Sequence, residues 1–77
     1  MPRYHFNVHN DIEARDEEGQ ELPDLEAARR EAIRGVRSLA AEQVQEGRLN
    51  FDHSVEVVEG GQTVFTVTFR EAIVVDG

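Results

Sequence analysis

Between Pro23 and Gly47, Leu25, Ala28, Ala32, Val36, Leu39 and Gln43 recur at steps of three and four. That spacing puts them on one stripe of an α-helix. Ile33, Ala40 and Val44 widen the stripe into a face of the kind that packs on a sheet. Asp24, directly after Pro23, is a good N-cap residue, and Glu26 and Glu31 suit the positive end of the helix dipole. Gly47 is the expected stop. A helix is therefore expected over about residues 24–46. Gly35, inside it, costs roughly 0.5–1 kcal/mol relative to Ala. It either allows a close approach to a neighbouring element or is simply tolerated.

The flanking segments have the other period. Tyr4, Phe6 and Val8 alternate with Arg3, His5, Asn7 and His9, as in a half-buried strand. Residues 10–21 hold six acids and Gly19, with short strands expected around Ile12–Arg15 and Gln20–Leu22. After the helix, Phe51, His53, Val55 and Val57 share one strand face, and Asp52, Ser54 and Glu56 the other. Glu59-Gly60-Gly61-Gln62 marks a tight hairpin turn, because paired glycines supply positive φ angles. The return strand sets Phe65, Val67 and Phe69 opposite in face to Val64, Thr66 and Thr68. Arg70–Ala72 suits one helical turn. Ile73-Val74-Val75 then either docks on a sheet edge or meets a partner. The expectation is one α+β domain over residues 1–77, in β(β)αββ order. It has an antiparallel sheet of three to five strands with the long helix packed on one face. Strand order stays open.

Met1-Pro2-Arg3-Tyr4-His5-Phe6 and the run from Asp16-Glu17-Glu18-Gly19 through Leu22-Pro23-Asp24-Leu25 to Glu31-Ala32 resemble a family of short bacterial proteins. That family is a domain of unknown function common in alphaproteobacteria. The resemblance implies a small cytoplasmic protein and no catalytic residues. More loosely, Leu25–Ala32 is similar to the helix start of HicB-type antitoxin domains. Those usually append a DNA-binding segment, for which this chain has no room after the hairpin.

The charges narrow the function classes. Sixteen acids face eight bases, for a net charge of -8. That balance argues against duplex nucleic acid, which needs a basic footprint, and against anionic membrane surfaces. No apolar run approaches the roughly 18–20 residues of a spanning helix. Met1–Phe6 lacks a signal-peptide core, so the cytoplasm is the expected compartment. With no Cys, disulfides and thiolate sites are excluded.

No metal or cofactor is expected. A calcium loop starting at Asp11 fails, since Asp16 stands where a glycine is required and Leu22 where a glutamate is. The acidic segment reads as a solvated turn. His5 and His9 share a strand face about 13 Å apart at roughly 3.3 Å per residue, too far for one metal. His5 would need His53 across a strand pair, and His53 reads instead as a satisfied, partly buried residue. Ser38 and Ser54 stand in no nucleophile-elbow context, and no glycine-rich phosphate loop exists. The chain is not expected to be an enzyme.

Contact surfaces are expected instead. Arg30, Arg34 and Arg37 form one helical stripe, suited either to an acidic partner or to a solvent face balanced by Glu26 and Glu31. Ile73, Val74 and Val75 form an apolar tail. A chain of 77 residues buries only roughly 60–65% of its unfolded surface, so a second subunit is a plausible source of further burial. The leading expectation is a non-enzymatic domain acting through protein contacts or homo-oligomerisation, with Arg30, Arg34, Arg37, Ile73, Val74 and Val75 as contact residues. The alternatives are an antitoxin-like module capping a basic partner and a domain that binds cations or small ligands.

Overall fold

The computed structural model describes residues 1–10 and 13–76. Its elements are β1 (Arg3–His9), β2 (Gln20–Glu21), α1 (Leu25–Gln45), β3 (Ser54–Glu59), β4 (Gln62–Thr68) and a single turn of helix, α2 (Phe69–Ala72). The strands form one antiparallel sheet in the order β2-β1-β3-β4. The fold is α+β, as the two periodicities require.

Register follows the apolar pattern. Phe6 pairs with Val57 and Val8 with Val55, while Val57 and Val55 pair on their other side with Phe65 and Val67. Paired residues project to the same face, so these side chains form the floor under α1. Gly60 and Gly61, at φ 58° and 80°, make the hairpin turn that the sequence marks. Asp24 caps α1, its carboxylate accepting from Ala27 N at 2.8 Å. α2 starts with a capping box between Thr68 and Glu71.

The core joins Tyr4, Val55, Val57 and Val67 of the sheet to Ala28, Ala32, Val36 and Ala40 of α1, with Phe69 and Ala72 of α2 closing one end. Three of the four helical members are alanines, which bring the helix close to the sheet but fill little volume. Phe69 supplies the bulk and is fully buried. Burial pushes the Tyr4 phenol above its ordinary value, helped by the charges of Glu59 and Asp24.

Several expectations change. Of the segment 12–15, Ile12 lies outside the described residues, and Ala14 makes only an isolated bridge to Val8. Phe51 and Asp52 belong to a turn, and β3 starts at Ser54. The pairing shifts between Val57 and Val58, which skips Val64. This β-bulge turns Val64 to the helix side, where it lines a cleft with Phe65, Leu25 and Arg29. The expected alternation of Val64 with Phe65 fails there because one extra residue reverses the faces. Nothing lies within 4 Å of a Cβ built on Gly35, so that glycine makes no close approach.

Candidate functional site

The open face of the sheet is polar and organised by Asp16. Its carboxylate accepts from Phe6 N at 3.1 Å and Gly19 N at 3.0 Å, and its own N–H donates to Asn7 Oδ1 at 2.9 Å. The Asp16 carbonyl meets His5 Nδ1 at 2.7 Å, and Arg3 donates to the Glu18 carbonyl at 2.8 Å. The side chains of Glu13, Glu17, Glu18 and Glu21 are exposed, as a solvated turn requires, but the turn itself, residues 16–19, is tied along β1. The sequence reading missed this because it weighed the charges and not the spacing. Asp followed three residues later by Gly is a turn signature, and it was the available signal.

Beside it, Glu56 accepts from the Thr63 hydroxyl and faces His9 Nε2 at 3.2 Å. The other His9 nitrogen lies 3.4 Å from Glu13. His9 thus faces a carboxylate at each ring nitrogen, with Ser54 as its cross-strand neighbour. The hydrogen bond from Thr63, then that from His9, holds the Glu56 carboxyl below its ordinary value of 4.5, against an opposing push from burial. A depressed carboxyl stabilises the fold above its unfolded value, and that share is lost as pH falls through the folded value. The melting temperature of the native chain should therefore exceed that of Glu56→Gln most clearly above pH 4.5, with the gap narrowing in acid. Thermal melts of both chains across that range check this. A gap that stays constant into strong acid would exclude the Glu56 carboxylate as its source.

His53 and His5 are not brought together. His5 lies on the open face opposite Val58, whereas His53 is buried on the helix side. There His53 Nδ1 lies 2.7 Å from Gln43 Nε2, and Gln43 Oε1 accepts from Asn50 N at 3.1 Å. The His53 ring meets Phe69 edge-on at 5.5 Å. Gln43 sits on the apolar stripe of α1 because it satisfies this buried imidazole and the loop after the helix. The satisfied His53 expected from the sequence is what the structure contains.

The arginine stripe divides. Arg30 and Arg34 are exposed and lie 3.5 Å from Glu26 and 3.7 Å from Glu31, pairs of the weak surface kind. Arg37 is different: its Nε donates to the Ala72 carbonyl at 2.9 Å and ties α1 to the end of α2. Ile73 follows, half-buried against the core, while Val74 and Val75 are exposed. The tail docks on neither sheet edge. Instead Arg37, Ala40, Ala41, Val44, Leu49 and the stretch Ala72–Val74 enclose an open, mostly apolar cleft of about 410 Å³. Val44 is 59% exposed and Val74 82%, so the outer end of the helical stripe and the tail form one aliphatic surface. Three of the six expected contact residues, Arg37, Ile73 and Val74, thus share one site, while Arg30 and Arg34 stand apart from it.

Among the described residues, no group of three His, Asp or Glu side chains is placed to hold a metal ion. No helix among them is long and apolar enough to cross a membrane. The molecule is thus a small α+β domain with one polar sheet face, one helix-covered face and an aliphatic cleft at the end of the helix. The chain belongs to the family described as a domain of unknown function (DUF6894), which matches residues 3–70. No curated protein and no solved structure matches it. The resemblance carried by Met1–Phe6 and residues 16–32 is therefore to a real family, and nothing in these matches links the chain to HicB-type antitoxin domains.

Proposed function

We propose that the domain is a non-enzymatic module that acts through protein contacts, with the cleft between α1 and the tail as its contact surface. The observation that carries this reading is the convergence of Val44, Leu49, Ile73 and Val74 around one open apolar cleft. Large aliphatics gathered on a small surface are costly to leave in water, at about 25 cal/mol per Å². Arg37 rims the same cleft and gives it a cation in a chain of net charge -8.

The test compares native bait with a Val44→Asp/Val74→Asp variant in pull-downs from the native cytoplasm. Both positions are exposed, so the variant should keep its circular dichroism spectrum and melting temperature. A stoichiometric protein held by the native chain and lost from the variant supports the reading. Identical sets of captured proteins would remove the cleft from it.

A further inference from the structure

The sheet has two edges, and only one is blunted. β2 closes one edge with just Gln20 and Glu21, between Glu17 and Glu18 on one side and Pro23 and Asp24 on the other. β4 closes the other with seven residues, and no strand lies beyond it among the described residues. An edge strand turns part of its backbone N–H and C=O groups outward, ready to pair with another strand. Such edges are usually protected by Lys, Pro or a bulge. Here residues 60–69 form the longest run without Asp, Glu, Lys or Arg in the sequence, and they contain no Pro. The bulge lies at Val64, before the regular pairs that Phe65–Thr68 make with β3. Beside this edge, on the helix side, Leu25 is 47% exposed and Val64 37%, and they flank Phe65.

We propose that β4 pairs antiparallel with β4 of a second copy, joining the two sheets into one of eight strands. A second copy fits this edge because the strand is self-complementary and free of charge. Each chain carries -8, so self-contact across most of its surface sets like charges against each other. Within residues 60–69 the strand faces itself with no ion of its own opposed, and the nearest charges, Glu26 and Arg29 of α1, are of opposite sign. Geometry then fixes the register. A two-fold axis perpendicular to the sheet keeps each residue on its own face. Opposed residues must project the same way, so the axis passes through a residue and not between two. Centring on Thr66 opposes it to Thr66 of the partner subunit and sets Phe65 beside Val67 of the partner subunit. Threonine pairs and aromatic–aliphatic pairs are both favourable across strands. The bulge at Val64 ends the regular pairing there, so the seam is residues 65–67, and the two α1 helices lie on the same face of the joined sheet with Leu25, Glu26, Arg29 and Val64 beside it.

This inference shares the reading of a contact domain but uses a different surface, so the two can fail separately. The full chain should sediment at twice its 8.7 kDa mass at micromolar concentration. Thr66→Lys sets two cations together at the axis and should return the mass to that of one chain, with the circular dichroism spectrum unchanged. The chain has no cysteine, so an introduced thiol is unique. Thr66→Cys should cross-link into a covalent dimer under mild oxidation. Thr63→Cys should not, because the two copies of residue 63 would stand about 20 Å apart along the strands, against a reach of about 7 Å. A monomer at high micromolar concentration would overturn the proposal, as would a dimer that survives Thr66→Lys or cross-links through residue 63. A dimer lost in Val44→Asp/Val74→Asp but intact in Thr66→Lys would move the self-contact to the cleft. If Thr66→Lys fails to fold, the pair of cysteine variants still decides.

Discussion

Gly19→Ala is expected to destabilise the fold by about 2–4 kcal/mol, read as a lower midpoint of urea unfolding with an unchanged slope. Two costs combine. Gly19 has φ 73°, and forcing an L-residue into that left-handed region costs roughly 1–2 kcal/mol. A Cβ there would also stand 3.0 Å from the Tyr4 carbonyl and 2.9 Å from side-chain atoms of Arg3 and His5. Arg3 can swing away, but the carbonyl belongs to β1 in the middle of the sheet. Relief must come from the turn, and lifting the turn strips Asp16 from the N–H groups of Phe6 and Gly19. A domain of this length has roughly 4–12 kcal/mol of stability in all, so the loss is a large share. Gly35→Ala is the control. It is helical and open around its Cβ, so it should gain about 0.5–1 kcal/mol. If Gly19→Ala left the midpoint unchanged or raised it as Gly35→Ala should, the close packing of the turn on β1 would be refuted.

The contrast between these glycines also shows what a sequence displays and what it hides. Period is local, so the 3.6-residue stripe of α1 and the alternation of β1 could be read directly, and with them the α+β class. Cap residues and paired glycines are local too, which is why Asp24 and the Gly60-Gly61 turn stand where expected. The bulge at Val64 is not local. It is a mismatch in count between β3 and β4, and it reverses the face of one residue without changing the composition around it. Strand order was hidden for the same reason: β1 sits between β2 and β3 through pairings across the whole chain. For the contact surface, residue type pointed to Arg37, Ile73 and Val74. Their meeting at one cleft depends on the turn of α2, which swings the tail back against α1. Arg30 and Arg34 carry the same charge on the same stripe but lie nearer the start of the helix, away from that turn. Gln43 was legible only as a polar residue on an apolar stripe, since its partner His53 lies ten positions on.

Phe69→Ala should be more damaging than any change on the surface, at about 3–5 kcal/mol. Phe69 is fully buried and supplies volume that the alanines of α1 do not. Its removal leaves a hole walled by short side chains, and neighbours of that kind cannot collapse far to fill it. The edge-on contact with His53 goes as well, worth about 0.5–1.5 kcal/mol beyond burial. Against roughly 4–12 kcal/mol in total, the variant should unfold at markedly lower urea and be partly unfolded at 37 °C. Phe69→Leu separates the terms. It keeps most of the volume and loses the ring contact, so it should cost about 1–1.5 kcal/mol. The same pair of variants links the core to the contact surface. Phe69 opens α2, and α2 holds Ala72 against Arg37 and Ile73 against the core. Phe69→Leu should therefore stay folded yet show faster amide exchange across Ala72–Val74 than in α1. Unchanged exchange there, or a cost below about 1 kcal/mol for Phe69→Ala, would mean that Phe69 neither fills the core nor holds the wall of the cleft.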